Sequence, residues 1–197
     1  MRIEPLGEAA FIVRELPLPA YEIARELNAN RPPGLVEAVA SYETVGLYVD
    51  PDVFDPNAFE LSVFQLGTSV CEGVVVEIPC RYEGPDLPEV ASRLNLDEAE
   101  VVRLHASVEY TCFAIGFCPG FPYLGYVADE LVLPRREQPR QRVPAGSVAI
   151  AGRQTGIYPL DRPGGWWLIG TTDFKLVDLE AGFFALKAGD RVRFQPV

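Results

Sequence analysis

The stretch that most constrains this fold runs from residue 116 to residue 172, where glycine, proline, aromatic residues and arginine are concentrated. Glycine tolerates positive φ and close backbone approach, whereas proline fixes φ and lacks an N–H donor, so such a segment interrupts helices and long strands. It predicts short strands joined by shaped loops. Loops held on a rigid scaffold commonly carry binding groups, although a β-rich core with tight corners would have the same composition.

The charge balance argues against two classes of partner. The chain has 197 residues and a formal net charge of −11. A nucleic-acid-binding protein is expected to present a basic surface, and anionic membranes also attract basic proteins. No apolar run approaches the roughly 20 residues of a membrane span, and residues 1–5 lead into no apolar segment of a signal peptide. We therefore expect a cytoplasmic protein that binds neither nucleic acid nor membrane.

The cysteines and the single histidine predict no metal cofactor. Cys71, Cys80, Cys112 and Cys118 form no CxxC pair. His105 is not spaced with any of them as a set of zinc ligands would be. In a cytosolic chain such cysteines are expected to be reduced and buried as small apolar side chains.

Periodicity in residues 1–80 predicts a first domain of α+β class. Strands are expected at 9–14, 35–42, 44–49 and 73–79, with a helix after Pro19 and another that begins at Asp55. The predicted buried faces are Ala20, Ile23, Ala24 and Leu27 in the first helix, and Phe59, Val63 and Leu66, before a stop at Gly67, in the second. The order β-α-β-β-α-β is the ferredoxin-like pattern.

Residues 81–197 predict a second domain rich in short strands. Asp86 and Asp97 are placed to cap two short helices, at 87–94 and from 98 to His105. Strands are expected at 107–115, 131–133, 146–151, 165–169 and 191–195, separated by turn residues. Many short strands with glycine and proline turns are typical of a barrel or a sandwich.

The most unusual chemistry is a group of arginines in an acidic chain. Arginine presents a planar fork of donors that matches a carboxylate or a phosphate. These arginines could bind an anionic ligand or an acidic partner, or could simply pair with surface carboxylates. The group consists of Arg135, Arg136, Arg140, Arg142 and Arg153.

Other candidate groups carry weaker signals. His105 is the only imidazole in the chain, so any acid–base role of histidine falls to it, although a packing or capping role at a helix end is the alternative. Ser147 lacks the GxSxG context of a nucleophile elbow. The sequence contains neither a P-loop nor GxGxxG, so a recognisable nucleotide-binding loop is absent. Tyr123, Tyr158, Trp166 and Trp167 could line a pocket or pack in the core.

Several long motifs resemble one family. They are GFCPGFPYLG (116–125), PR at 134–135 and 139–140, VPAGSVAI (143–150), QTGIYP (154–159) and PGGWWLIGTT (163–172), with LGEAAFIV near the start and IPCRYEGPDL and LHASVEY upstream. The chain thus resembles the family of the B-type subunit of 5-oxoprolinase, also called allophanate hydrolase subunit 1, which includes the KipI-type inhibitors of a histidine kinase. Thr171, where the family usually has arginine, and Cys80, where it usually has valine, depart from the pattern.

The resemblance implies a fold and a set of partners. It implies a ferredoxin-like N-terminal domain and a cyclophilin-like β-barrel, together similar to the carboxyltransferase domain, subdomains C and D. It further implies a sister subunit of the C type, also called the KipA type, and a large 5-oxoprolinase subunit. The implied reaction is the ATP-dependent opening of 5-oxo-L-proline to L-glutamate, with ATP bound mainly by a partner subunit.

The resemblance also suggests which residues line a site. We expect His105 and Ser147 in catalytic roles and Arg135, Arg140, Gln154, Tyr158 and Trp166 in contact with substrate. An arginine would hold the substrate carboxylate, Ser147 and Gln154 would bond the lactam amide, and His105 would transfer protons. The alternative function is a KipI-type module that binds and inhibits a sensor histidine kinase.

Overall fold

The computed structural model describes residues 1–57, 59 and 73–197. These residues belong to two compact units, Met1–Glu72 and Gly73–Val197. The predicted helical positions Val63, Leu66 and Gly67, and also Cys71, lie outside the described residues.

The first unit contains a four-stranded antiparallel sheet and a helix that packs on two of its strands. The predicted helix and hairpin are confirmed: Ile23, Ala24 and Leu27 are buried on one helix face, and Val45 and Leu47 are buried on one strand face. The elements are β1 (Arg2–Pro5), β2 (Ala10–Arg14), α1 (Ala20–Ala29), β3 (Leu35–Ser41) and β4 (Thr44–Val49). The sheet order is β1-β2-β4-β3.

The strand predicted at 73–79 does not complete this sheet. It forms β5 (Val75–Cys80) and pairs in parallel with the final strand of the second unit, at 191–196. The position beside β2 is taken instead by β1, which the sequence did not reveal as a strand. The units accordingly divide after Glu72, whereas the sequence placed the boundary after Cys80. The ferredoxin-like assignment of the first unit stays a prediction.

The second unit is built from a seven-stranded sheet, two helices and two small strand pairs. The elements after β5 are α2 (Leu87–Leu94), α3 (Glu98–Ala106), β6 (Glu109–Ile115), β7 (Pro122–Gly125), β8 (Arg140–Val143), β9 (Ser147–Ala151), β10 (Gln154–Ile157), β11 (Arg162–Gly164), β12 (Trp167–Thr171), β13 (Val177–Asp178), β14 (Phe183–Phe184) and β15 (Arg191–Pro196). The sheet order is β12-β9-β10-β7-β6-β15-β5, while β11 pairs with β8 and β13 with β14.

The seven-stranded sheet curls until its two edge strands meet. Arg81, directly after β5, pairs antiparallel with Thr171 at the end of β12, and the two residues exchange backbone hydrogen bonds of 2.8 Å. Further along, the N–H groups of Gly84 and Asp86 donate to the carbonyls of Ile169 and Leu168. Thr171, which departs from the family pattern, therefore lies at the seam of the sheet, held through its backbone.

Strand β9 separates two apolar cores. All five of its residues are buried. Val148 and Ile150 face the larger core, which the sheet shares with helices α2 and α3, whereas Ala149 and Ala151 face a smaller aromatic core. Because side chains alternate along a strand, one short sequence serves both sides. The small alanine side chains leave room for the aromatic rings of the second core.

Two predicted helix caps in this unit have different outcomes. The Asp97 carboxylate accepts the Glu100 N–H at 2.7 Å, as predicted for an N-cap. Asp86 also precedes a helix, but its side chain makes no capping bond, because its carboxylate bonds arginines and a strand instead. The strand predicted at 131–133 is reduced to one antiparallel bridge between Leu133 and Gly152, because Leu131 ends a 3-10 turn, Asp129–Leu131.

Neither a membrane span nor a metal cluster is found in the described parts of the chain. No helix there is long and apolar enough to cross a bilayer. No group of three or more potential metal ligands is present among these residues. Cys80, Cys112 and Cys118 are buried free thiols, and burial raises the pKa of both Cys80 and Cys112 to about 12.

Candidate functional site

An aromatic cleft of about 370 Å³, open to solvent, lies over the smaller core of the second unit. Its chemistry is simple: five aromatic rings, two glycines and one arginine. The rings meet mostly edge to face, with centroids 5.1–6.2 Å apart, which is a favourable arrangement for aromatic pairs. The lining residues are Phe117, Phe121, Tyr123, Arg135, Tyr158, Gly164, Gly165 and Trp166.

A tight loop supplies one wall of the cleft. The N–H of Phe121 donates to the carbonyl of Cys118 at 3.1 Å. Pro119 and Gly120, with φ of +78° at the glycine, occupy the central positions that a type II turn requires. Phe117 has φ of +64°, and the Cys118 N–H closes over it to the Gly116 carbonyl at 2.7 Å. This strained turn holds the Phe117 ring, 56% exposed, at the cleft entrance.

Tyr158 and Trp166 form the floor, and both are almost fully buried. Tyr158 continues strand β10, because its N–H donates to the Ser147 carbonyl at 2.9 Å and its own carbonyl accepts from the Gly146 N–H at 2.7 Å. The Trp166 backbone lies beside the Tyr158 hydroxyl and partly opposes the effect of burial on its pKa. Burial raises the pKa of Tyr158, so the phenol stays protonated at neutral pH. The floor is therefore neutral and rigid.

Arg135 is held at the rim by bonds on both sides of it in the chain. Before it, the Pro134 carbonyl accepts from the Trp167 indole N–H at 2.7 Å. After it, the Arg136 N–H donates to the Gly165 carbonyl at 2.9 Å. The Arg135 guanidinium lies 5.9 Å from the centre of the Trp166 ring, at the outer range of a cation–π contact. The backbone thus fixes where this cation stands.

The structure separates Arg135 from the other four arginines of the group. Arg136 and Arg140 both donate to Asp86, at 2.9 and 2.6 Å. Arg142 pairs with Asp161, and Arg153 pairs with Asp129. Within the described parts of the chain, Arg135 has no acidic partner. Four of the five arginines therefore pair with carboxylates, which was one of the alternatives drawn from the sequence. The guanidinium of Arg135 is the one of the five that lines the cleft.

Asp86 organises the segment that carries Arg135. It is a buried carboxylate whose Oδ1 accepts from Arg136 and Arg140, while its Oδ2 accepts the Leu168 N–H at 2.7 Å. Arg136 and Arg93 also lie on the Trp167 ring, at 4.8 and 4.9 Å from its centre. Arg140 is thus engaged with Asp86 rather than lining the cleft, where the sequence placed it.

His105 lies in the larger core, outside the cleft lining. It is fully buried, with Nδ1 2.7 Å from the Tyr82 hydroxyl and Nε2 2.8 Å from the Thr155 hydroxyl. Thr155 donates its own proton to the Ala149 carbonyl at 3.0 Å, so Nε2 carries the imidazole proton and Nδ1 accepts from Tyr82. Burial lowers the pKa of His105 to about 3. This neutral, fully bonded imidazole matches the packing alternative.

Ser147 and Gln154 also lie apart from the cleft lining. Ser147 is buried, and its hydroxyl donates to the Pro144 carbonyl at 2.8 Å in the turn before β9. Gln154 begins strand β10, half-buried, where it pairs with Gly125 and Ala151. Of the seven residues proposed from sequence, the structure brings Arg135, Tyr158 and Trp166 together in one cleft.

Several cleft features escape prediction from the sequence. Phe117 and Phe121 give no signal beyond their place in a glycine- and proline-rich motif. Gly164 gives no sign of its role in the sequence, although any side chain there would collide with the Tyr158 hydroxyl. Asp86 is predicted to be a helix cap, and its bonds to residues 50 and 54 positions away cannot be inferred from spacing.

Comparison with known proteins places the chain in a family. Residues 1–186 match the model of the carboxyltransferase domain, subdomains C and D. The chain is 39% identical to the B-type subunit of 5-oxoprolinase from Haemophilus influenzae over 98% of its own length and 97% of the relative's. It is 52% identical to the B-type subunit of 5-oxoprolinase from Escherichia coli O157:H7 over 129 residues, which are 64% of this chain and 59% of that one.

Solved structures show the same relationship. The crystal structure of TTHA0988 superposes with a TM-score of 0.86 at 43% identity, over 95% of this chain and 40% of that longer chain. The urea amidolyase of K. lactis shares the fold, with a TM-score of 0.72 at 16% identity over 99% of this chain and 15% of the enzyme. The chain therefore belongs to the carboxyltransferase domain family, subdomains C and D, and is a relative of the B-type subunit of 5-oxoprolinase.

Proposed function

We propose that this protein is a subunit of a complex that opens 5-oxo-L-proline to L-glutamate, and that the aromatic cleft holds the substrate. The family and the names of the relatives support the first statement. The observation that carries the second is Arg135, a guanidinium without an acidic partner among the described residues, fixed over an apolar aromatic cleft. A small ring compound with one carboxylate complements that arrangement.

The reacting groups and the nucleotide are proposed to come from partner subunits. Among the described residues, the lining of the cleft contains no nucleophile with an adjacent base and no carboxylate. The sequence has no phosphate-binding loop. We therefore propose that a large subunit binds ATP and that a sister subunit completes the site. In this proposal His105 and Ser147 stabilise the fold rather than act on the substrate.

The carboxylate assignment is tested by Arg135→Gln. Loss of one charge-assisted pair should weaken binding of 5-oxo-L-proline about 10- to 100-fold, measured by calorimetry on the isolated chain and as KM in the reconstituted complex. Arg142→Gln is the matched control, because it removes an arginine that is paired with Asp161 outside the cleft. Equal affinities of wild type and Arg135→Gln would contradict the proposal.

The enzyme role itself is tested by coexpression with the sister and large subunits, followed by assay of ATP-dependent glutamate release. A complex that assembles but releases no glutamate would contradict it. The kinase-inhibitor alternative stays a prediction from the family resemblance. Inhibition of a sensor kinase's autophosphorylation by the isolated chain would support that alternative.

A further inference from the structure

The hydroxyl of Tyr158 has a donor that the fold leaves unused. A phenol has one O–H donor and lone pairs that accept. The backbones of Gly164 and Trp166 lie beside the oxygen. Among the described residues, no acceptor bonds the Tyr158 proton. The side chain is only 2% exposed, yet it lines the cleft, so this proton has only the cleft to donate into.

The surrounding residues fix the position of the Tyr158 ring and of its hydroxyl oxygen. Phe117 and Phe121 meet the Tyr158 ring edge to face, at 6.2 and 5.2 Å between centres. On the other side the backbone of Gly164 approaches the hydroxyl so closely that a β-carbon would collide with it. The Tyr158 ring and its oxygen are therefore held in place before any ligand arrives.

The other tyrosine that lines the cleft differs from Tyr158 in its burial and in its surroundings. Tyr123 is half-buried, and no hydrogen bond fixes its hydroxyl within the described parts of the chain. It lies at the Trp166 end of the ring cluster, with centres 6.0 Å apart. Tyr123 is therefore the more exposed of the two tyrosines, whereas Tyr158 is almost fully buried at the floor of the cleft.

We propose that Tyr158 donates a hydrogen bond to a neutral carbonyl oxygen of the ligand whose carboxylate pairs with Arg135. This inference rests on the proposed function and assigns the lactam carbonyl to Tyr158 instead of Ser147 and Gln154. Two polar contacts around an aromatic cleft select a small monoanion that carries a carboxylate and a carbonyl on one ring. The second acceptor is neutral because Arg135 is the only charged side chain among the described residues that line the cleft.

The test compares two ligands on the isolated chain by calorimetry. 5-Oxo-L-proline has both groups, whereas cyclopentanecarboxylate has the same ring size and carboxylate but no carbonyl. Tyr158→Phe should weaken 5-oxo-L-proline binding about 5- to 10-fold, the usual worth of one neutral hydrogen bond. It should leave cyclopentanecarboxylate within about twofold. Tyr48→Phe is the control, because Tyr48 is an exposed tyrosine of strand β4 outside the cleft lining, and it should leave both ligands unchanged.

The outcomes separate this inference from the proposed function. Weaker binding of both ligands to Arg135→Gln would support the carboxylate site. If Tyr158→Phe then weakens both ligands equally, or weakens neither, the Tyr158 assignment is overturned while the carboxylate site stands. An equal loss in Tyr48→Phe would also overturn it. If wild type binds neither ligand, both proposals fail. Wild type alone provides a test independent of variant folding, because it should prefer 5-oxo-L-proline to cyclopentanecarboxylate about 5- to 10-fold.

Discussion

At the scale of single residues, Phe117 combines backbone strain with a position at the cleft entrance. A left-handed conformation is costly for any residue with a β-carbon and is tolerated mainly where it serves a function. The exposed ring packs only on Phe121 and Tyr158 among the described aromatic residues. We interpret the strain as the energetic cost of placing an apolar side chain over the ligand.

Replacing Phe117 by glycine should relieve the backbone strain but also remove the ring that covers the ligand. Glycine accepts φ of +64° without strain, so Phe117→Gly should be about 1 kcal/mol more stable than Phe117→Ala, measured by urea unfolding. Both variants should bind 5-oxo-L-proline more weakly than wild type because both lack the ring. Equal stabilities of the two variants would show that position 117 does not keep its left-handed conformation.

Only part of this residue-scale detail could be predicted. Pro119 and Gly120 indicate a turn, because proline and glycine fit its central positions. Phenylalanine gives no sign of positive φ, which is expected at glycine or asparagine. The same holds for Arg135: five arginines look alike in the sequence, and tertiary contacts with aspartates decide which one stays without an acidic partner among the described residues.

At the scale of elements, Asp86 connects three segments that are distant in the chain. It bonds the Arg136–Arg140 segment and the start of strand β12 at once. A buried carboxylate in this position is costly to remove, because Arg140 would remain half-buried without a counter-charge and Arg136 would keep only Glu89, at 3.7 Å. The cleft rim and the start of helix α2 are therefore stabilised by one side chain.

Asp86→Asn should accordingly lower the free energy of unfolding by about 2–3 kcal/mol, toward the low end for a buried pair because the arginines keep solvent contact. It should also weaken ligand binding through Arg135. Thermal unfolding and calorimetry measure the two effects. Asp161→Asn is the control, since it removes an exposed partner of Arg142 and should leave the unfolding midpoint nearly unchanged. A wild-type-like Asp86→Asn would contradict the assignment.

The elements themselves were predicted better than their partners. Periodicity located α1, α2, α3, β4, β6, β9 and β15 closely, because burial on one face imprints a local pattern. The pattern GVVVEIP in turn predicted a strand correctly but assigned it to the first domain. Alternation of apolar and polar residues indicates that one face of a strand is buried, but it does not indicate which sheet the strand joins. The parallel partner of β5 is β15, which lies more than a hundred residues further along the chain.

At the scale of the whole molecule, His105 makes stability depend on pH. The buried imidazole stays neutral in the folded state, with a pKa of about 3, whereas in the unfolded chain it titrates near 6.5. The unfolded state therefore binds one more proton between these values, and stability falls as pH falls below 6.5. From pH 7 to pH 5 the expected loss is about 2 kcal/mol.

Urea unfolding at pH 7, 6 and 5 checks this expectation. His105 is the only histidine, so His105→Gln should be less stable at pH 7 but show almost no change down to pH 5. The exposed carboxylates with lowered pKa values, such as Asp161 and Asp173, act at lower pH and do not interfere. Parallel pH profiles of the variant and wild type would contradict the assignment.

The pairing of β5 with β15 has a consequence for how the chain acquires its structure. The first unit's sheet joins strands that all lie within residues 2–49, so it can form early. The second unit's sheet places β15 between β6 and β5, with Val192 and Phe194 in its core. A ribosome must therefore deliver the chain as far as residue 196 before the barrel-like sheet can close. Until then β5 and β6 present unpaired edges, and folding of this unit is expected to be the slower event.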